Sequence, residues 1–406
     1  MLIFISLIEL AGFSYFLKKE VGLLPALMFS ILFAGSSYLI SMSSFAINGV
    51  IGFPFILLWI FSLYEFFKTK KPIYLFLIFF SLGNIFEAEV PFGIFTIPAF
   101  FITLVLTGQI KNFFGEKKNL IYSLTGLVIP FGPRILFELK NHFLQTRTFL
   151  GYFLHPQLHS PQSFSSIVTN RIGIFNYYFG GSLPASSPVI ILIFVLLSIY
   201  GIYFVFKKSS SRLKMLVKFL IIFLAALFAV SFFYRDIFWT NYFEGLSLYF
   251  IVFMSISLST INQAKNKYVK LLPLAILFFL FAFNFYAFAK DINNRQPVAD
   301  VGMREQLKTL NYLETAANHQ SICVRVYTPP IIPYTYDYLF DYYVRTGKIK
   351  SIGQGYVDDK CFYVIENDQY KFRIDQFRKD NIPQGAKLLS IKKITDNVKV
   401  ELWKFP

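Results

Sequence analysis

Residues Pro188–Phe206 read PVIILIFVLLSIYGIYFVF, a run without a single charge that closes on Lys207-Lys208. A helix needs about 20 apolar residues to cross the ~30 Å hydrocarbon of a bilayer, so this stretch reads as a membrane span. Working outward, the same reading applies to Met1–Leu17, Gly22–Ser41, Gly49–Phe67, Ile73–Phe86, Phe92–Gly108 and Asn119–Phe137 on one side. On the other it applies to Met215–Tyr234, Tyr242–Ile261 and Leu271–Ala289. The expected fold class is a polytopic α-helical membrane protein of about ten spans with a small C-terminal extracytoplasmic α/β domain.

Composition points the same way. Of 406 residues, 55% are hydrophobic, 20% aromatic and 15% charged, with 52 Phe, whereas soluble domains carry about 25% charged residues. A cytosolic enzyme, a disordered chain and a disulfide-built secreted module are excluded. A net charge of +16 would suggest nucleic acid in a soluble protein. Here the basic residues stand in short clusters between apolar runs, where they set membrane orientation, so no nucleic-acid partner is expected.

Loops alternate in character. Lys18-Lys19, Lys68 to Lys71, Lys111 with Lys117-Lys118, Lys207 to Lys214, and Lys265 to Lys270 form a basic set. Met42–Asn48, Glu87–Pro91, Glu138–Ser187 and Arg235–Asn241 are poor in Lys and hold most of the acids. The positive-inside rule puts the first set in the cytoplasm, and every span then reverses the chain once. The domain reading is a multi-span unit over 1–289, with an outer interfacial loop region at 138–187, followed by an extracytoplasmic unit over 290–406. The first span starts on the outer side directly at Met1, with no cleavable signal pattern. A nascent chain starts in the cytoplasm, so an odd number of spans is expected upstream, through a truncated gene or misplaced start. The alternative is a first helix inserted N-out.

After Lys290 the charges become frequent and the apolar runs shorten. Ser321–Thr328 and Cys361–Glu366 read as buried strands, Pro333–Thr346 and Gln369–Lys379 as helices. Ala386–Ile394 with Asn397–Lys404 reads as a hairpin around Asp396-Asn397. Such a unit is large enough to hold its own core.

Ionisable residues at membrane depth are functional suspects. The span before Glu87 and Glu89 is only about 14 residues, or ~21 Å of helix, too short for the bilayer. Both carboxylates are therefore expected below the outer surface, in a crevice where they bind a metal, accept protons or hold sugar hydroxyls; the alternative is a solvated turn. Beyond the break at Pro130-Phe131-Gly132-Pro133, residues Ile135–Leu154 read as one amphipathic helix. Arg134, Glu138 and His142 recur every four residues on its polar side, near Asn141, Gln145 and Arg147. An interfacial helix with such a face suits a phosphorylated lipid headgroup, because the planar fork of Arg donates bidentately to phosphate; the alternative is a structural interfacial helix. Glu244, just inside the span Tyr242–Ile261, is a further cavity candidate, and Glu9 is an acid in mid-span without an evident partner.

Nucleotide-binding glycine patterns, HExxH and CxxC are absent, and the four His are scattered. Cys323 and Cys361 both fall on strands of the outer unit, where they form one disulfide or pack as two reduced core thiols.

The run YLFLIFFSLGNIFEAEVPFGIFTIPAFFITLVL (Tyr74–Leu106), the stretch PFGPRILFELKNHFLQTR (Pro130–Arg147) and the motif VYTPPIIPYTYDYLFDYY (Val326–Tyr343) resemble bacterial membrane glycosyltransferases of family 39. These are C-type enzymes related in plan to protein O-mannosyltransferases and the lipid A aminoarabinose transferase. The resemblance covers nearly the whole chain through loose, hydrophobic motifs. It implies transfer of a sugar from a polyprenyl-phosphate carrier in the membrane lipid to a glycan, lipid or protein acceptor at the outer face of the cell membrane. A divalent metal or a base would assist an inverting displacement. Glu87 and Glu89 would line the catalytic cavity, while Arg134, Glu138, His142 and Arg147 would lie near the carrier phosphate. Two departures matter. The acidic first outer loop that carries the family's catalytic residue has no counterpart here, and Met42–Asn48 carries no charge, so the chain as written is expected to lack a complete catalytic set. A transporter or flippase of lipid-linked sugars, and a non-catalytic membrane scaffold, are the rival classes.

Overall fold

The computed structural model describes residues 2–44, 48–154, 162–183, 187–236, 238–294, 301–329, 333–368 and 371–406. The protein is mostly helical with a small C-terminal sheet domain, and it forms two compact units, Met1–Lys290 and Asp291–Pro406.

Up to residue 294 the helices run α1 Leu2–Glu20, α2 Leu23–Gly35, α3 Ser37–Ser44, α4 Asn48–Ile51, α5 Phe53–Thr69, α6 Pro72–Ala88, α7 Val90–Leu106 and α8 Ile110–Phe114. They continue as α9 Lys117–Val128, α10 Gly132–Lys140, α11 Leu144–Leu154, α12 Phe164–Gly181, α13 Pro188–Lys208, α14 Ser211–Val230, α15 Leu246–Thr260 and α16 Lys267–Asn294. Among the described residues, four helical stretches are long and apolar enough to cross a membrane, namely 49–69, Pro188–Lys208, Ser211–Phe233 and Leu246–Gln263. The number rises to six if two bent pairs each make one broken span: α2 with Ser37–Ser43, bent by 60°, and α9 with α10, bent by 61°. The apolar runs of the sequence thus take unequal forms, as full-length helices, bent pairs and the short helices α6 and α7. The region 138–187, expected as an outer loop, contains α11 and α12.

α15 is the centre of this unit. It is the least apolar of the four full-length stretches, yet 89% of its apolar window is buried, against 28% for α13. A helix enclosed on all sides need not be apolar throughout, provided its hydroxyls are satisfied. Ser255 and Ser259 donate to the carbonyls of Ile251 and Ile256 on their own helix, and Thr260 reaches the Gly201 carbonyl of α13 at 3.0 Å. A Cβ on Gly201 would overlap the Ser257 carbonyl, so glycine sets the close approach of α13 to α15. Around them, Trp59 of α5 is fully buried among Phe100, Phe219, Phe223 and Tyr249, with ring centroids 4.9–6.0 Å away.

The second unit contains α17 Met303–Ala317, β1 Ile322–Tyr327, α18 Tyr334–Arg345, β2 Ile352–Gly353, β3 Lys360–Glu366, α19 Lys371–Asn381, β4 Lys387–Lys393 and β5 Val398–Lys404. The strand order is β2-β1-β3-β5-β4, parallel across β2, β1 and β3 and antiparallel beyond. Strand alternation sends Ile322, Val324, Val364 and Val400 to one face, against Leu310, Leu313, Leu339 and Tyr343 of α17 and α18. It sends Tyr327, Tyr363 and Ile365 to the other, against Ile374 and Phe377 of α19. Cys323 and Cys361, side by side on β1 and β3, are joined in a disulfide with Cα atoms 4.6 Å apart. The edge strand β4 is exposed throughout and carries Lys387, Lys392 and Lys393, a charge pattern that opposes edge-to-edge pairing.

Glu366 ends β3 inside this core, accepting from Gln306 at 3.5 Å and lying beside the Tyr336 hydroxyl, which makes no hydrogen bond of good geometry. Burial holds its carboxyl above the ordinary carboxylate range. A carboxyl whose folded pKa is raised adds stability fully present below its unfolded pKa of about 4.3, and loses it as pH rises through the folded value. Glu366→Gln should therefore melt at a temperature that exceeds the parent's increasingly from pH 4 to pH 8, as followed by circular dichroism on residues 291–406. A constant offset across that range would show that Glu366 is not the titrating group.

Candidate functional site

α6 continues beyond Phe86, so it has 17 residues, about 26 Å of helix. Glu87 stands in its last turn, and Glu89 is the single extended residue (φ −143°, ψ 94°) between α6 and α7. Two acids on either side of a helix end point to different neighbours, and they find different chemistry.

Glu87 meets Arg134, which opens α10 beyond the proline break. Arg134 Nε donates to Oε1 at 2.6 Å and Nη2 to Oε2 at 3.1 Å, while Nη1 donates to Gln145 Oε1 at 2.7 Å. The guanidinium carbon lies 5.4 Å from the centre of the Phe86 ring. Among the described residues these bonds use three of the five guanidinium donors, leaving one N–H on each Nη. Guanidinium N–H groups are suited to phosphate oxygens.

The helix expected over Ile135–Leu154 is broken. α10 ends at Lys140, and His142 (φ 52°) and Phe143 (φ 60°) turn the chain through the left-handed region before α11. Glu138 is correspondingly not an outward-facing member of a stripe. It is buried, and its two oxygens accept the N–H groups of Gln145 and Thr146 at 2.9 Å each. A carboxylate at the first turn of a helix satisfies otherwise unpaired donors and complements the dipole, so Glu138 caps α11 from across the turn. Glu87, Arg134, Glu138 and Gln145 form one polar knot, while His142 and Arg147 are exposed, on the turn and on α11.

Glu89 is half-buried and close enough to Glu244 for their charges to interact. Glu244 follows a 3-10 turn at Thr240–Phe243 and is buried. A Cβ on Gly49 would overlap its carboxylate, which fixes glycine at the start of α4. The phenols of Tyr38 and Tyr178 also feel the Glu244 charge, and their rings meet edge-on at 5.1 Å. Tyr178 donates to the Thr240 carbonyl at 2.7 Å. The Tyr38 hydroxyl is buried without a hydrogen bond of good geometry. Tyr38 also borders a cavity of about 380 Å³ lined by Ser37, Asn176 and Tyr177. Glu89 and Glu244 thus stand as a pair of carboxyl groups withdrawn from bulk water. Beside phenols, it offers the acceptors and donors that hold sugar hydroxyls. Among the described residues no three His, Cys, Asp or Glu gather as a metal set.

Sequence reasoning missed Arg171 of α12. It is 1% exposed, its guanidinium lies 3.7 Å from the Phe238 ring centre, and it donates to Ser231 O, Tyr234 O and Asn170 Oδ1. Ser231 ends α14, so this cation neutralises the negative end of a helix and pins the segment that leads to Glu244. The available signal was a lone Arg in the otherwise uncharged run Ile167–Phe179.

In the second unit Tyr334 is exposed and Tyr336 is a core residue. Asp337, with Arg325, Phe340 and Asp341, borders a cavity of about 530 Å³. Parts of the outer segments singled out in the sequence, 45–47, 155–161, 184–186 and 330–332, lie outside the described residues. No known family model matches this chain, and no curated protein shows significant similarity to it.

Proposed function

We propose that this is a membrane sugar transferase. It takes a sugar from a polyprenyl-phosphate carrier and passes it to an envelope acceptor at the outer face, with about ten spans and residues 290–406 on the extracytoplasmic side. The observation that carries the reading is the adjacency, across one helix end, of a guanidinium with two free N–H groups and a carboxylate pair beside two phenols. Arg134, oriented by Glu87 and Gln145, binds the carrier phosphate. Glu89, in the role that the resembled family gives to an acid of its first outer loop, takes the proton of the acceptor hydroxyl, whose oxygen forms the new bond to the anomeric carbon. The bond from that carbon to phosphate breaks, its electron pair leaves with the polyprenyl phosphate, and Arg134 stabilises the growing charge.

The test is transfer from radiolabelled polyprenyl-phosphate sugars by the protein in vesicles. Arg134→Ala should raise the KM for carrier by about ten- to a hundredfold, with only partial recovery in Arg134→Lys. Unchanged KM would remove Arg134 from the carrier site. A reporter fused after Pro406 should be active only outside the cytoplasm; a cytoplasmic signal would overturn the topology. The two helix pairs bent by about 60° also suit a transporter of lipid-linked sugars, because broken helices line cavities at membrane depth. That reading requires the vesicles to move a labelled lipid-linked sugar between leaflets with no acceptor present.

A further inference from the structure

α1 and α5 line a groove of about 680 Å³ that no helix of the described residues fills. One wall is a stripe of α1, Ile5, Ile8, Glu9, Gly12, Phe16 and Lys19, at the three-and-four spacing of a helix-packing seam. The facing wall is the corresponding stripe of α5, from Pro54 through Leu57 and Phe61 to Lys68. From Ile5 to Lys19 the groove is about 21 Å long, the length of four helical turns. At Gly12 an added Cβ would meet nothing within 4 Å, so a backbone can approach closely there, as small residues permit between membrane helices.

The charges of the groove do not balance. At its basic end Lys68 pairs with Glu20 at 2.6 Å and with Glu65 at 3.5 Å, and Lys19 stands beside them. Glu9 lies ten residues away, about 15 Å along α1, near the midplane of the ~30 Å hydrocarbon. It is 8% exposed, and its Oε2 has no hydrogen-bond partner. The groove thus carries three acidic side chains against two lysines, and Glu9 is the one left without a partner among the described residues. A lipid tail would leave its buried oxygen without a hydrogen-bond donor. A second copy of α1 would set Glu9 against Glu9. A helix with a basic residue at mid-depth answers both the shape and the charge.

We propose that the α1–α5 groove is the seat of a partner protein's transmembrane helix, and that an Arg or Lys at the midpoint of that helix pairs with Glu9. This rests on α1 lying in the bilayer, and not on the transfer chemistry. The test uses the full chain in nanodiscs, labelled with a donor dye at its N-terminus. It is titrated with acceptor-labelled Leu-Ala transmembrane peptides that differ only at the central residue. The Arg peptide should bind saturably and about tenfold more tightly than the Leu peptide, and the Glu peptide should not bind. Glu9→Gln should reduce the Arg peptide to the level of the Leu peptide. Gly12→Leu, which fills open space without a clash, should weaken both. Equal binding of Arg and Leu peptides, or an Arg peptide indifferent to Glu9→Gln, overturns the proposal. So does energy transfer between two labelled copies that the Arg peptide cannot displace, which would assign the groove to self-association.

Discussion

Glu89→Gln should lower kcat for sugar transfer by about a thousandfold, the middle of the range for loss of a general base, while leaving carrier KM nearly unchanged. Glu89 is the more accessible member of the carboxylate pair with Glu244, and it occupies the one extended residue between α6 and α7. Gln keeps the size and the hydrogen-bonding edge but cannot take the acceptor's proton. Glu244→Gln tests the other half of the pair. The rate loss should be smaller than for Glu89→Gln. If both variants transfer sugar at the parental rate, these carboxylates are structural and the base lies elsewhere.

The second large effect concerns the disulfide. Cys323 and Cys361 close a loop with a sequence separation of 38, for which the chain-entropy relation gives about 4 kcal/mol at 25 °C. The bond ties β1 to β3, a parallel pair whose strands are separated along the chain by α18 and β2. Reduction, or the double change Cys323→Ala and Cys361→Ala, should shift the urea midpoint of residues 291–406 downward by more than 1 M at an m-value of about 1–3 kcal/mol/M. Tyr363 and Val364, next to the bond, should lose hydrogen-exchange protection first. Coincident denaturation curves with and without reductant would show that the pairing contributes no stability.

What could be read from the sequence follows physical range. The apolar runs and the β-branched, aromatic stretches Ser321–Thr328 and Cys361–Glu366 are local patterns; strands stand at the latter, and the former become full-length helices, bent pairs and short helices. The undersized run before Glu87 drew attention to the acids, and in the structure that helix extends two residues further. The break at His142 and Phe143 was illegible because it uses neither Gly nor Pro. It is held by Glu138 accepting from residues seven and eight positions ahead, a contact that the spacing of a continuous helix hides. The Glu87–Arg134 pair spans 47 positions, and Arg171 reaches carbonyls 60 and 63 positions away. Nothing in periodicity encodes such pairs. The spacing of Arg134, Glu138 and His142 suggested one shared face, whereas the fold gives each a separate task.

The enclosure of α15 has a consequence for how this chain tolerates change over generations. Substitutions among aliphatic residues on α13, most of whose surface meets no other described part of the protein, disturb little packing and leave little trace. On α15 the same exchanges alter packing on every side, and a hydroxyl lost from Ser255 or Thr260 strands no buried acceptor but opens a void between helices. Drift should therefore accumulate on α13 and stall on α15, although α13 is the more apolar of the two. Substitution counts along these two helices in a mutational scan would invert the order that hydropathy alone would assign.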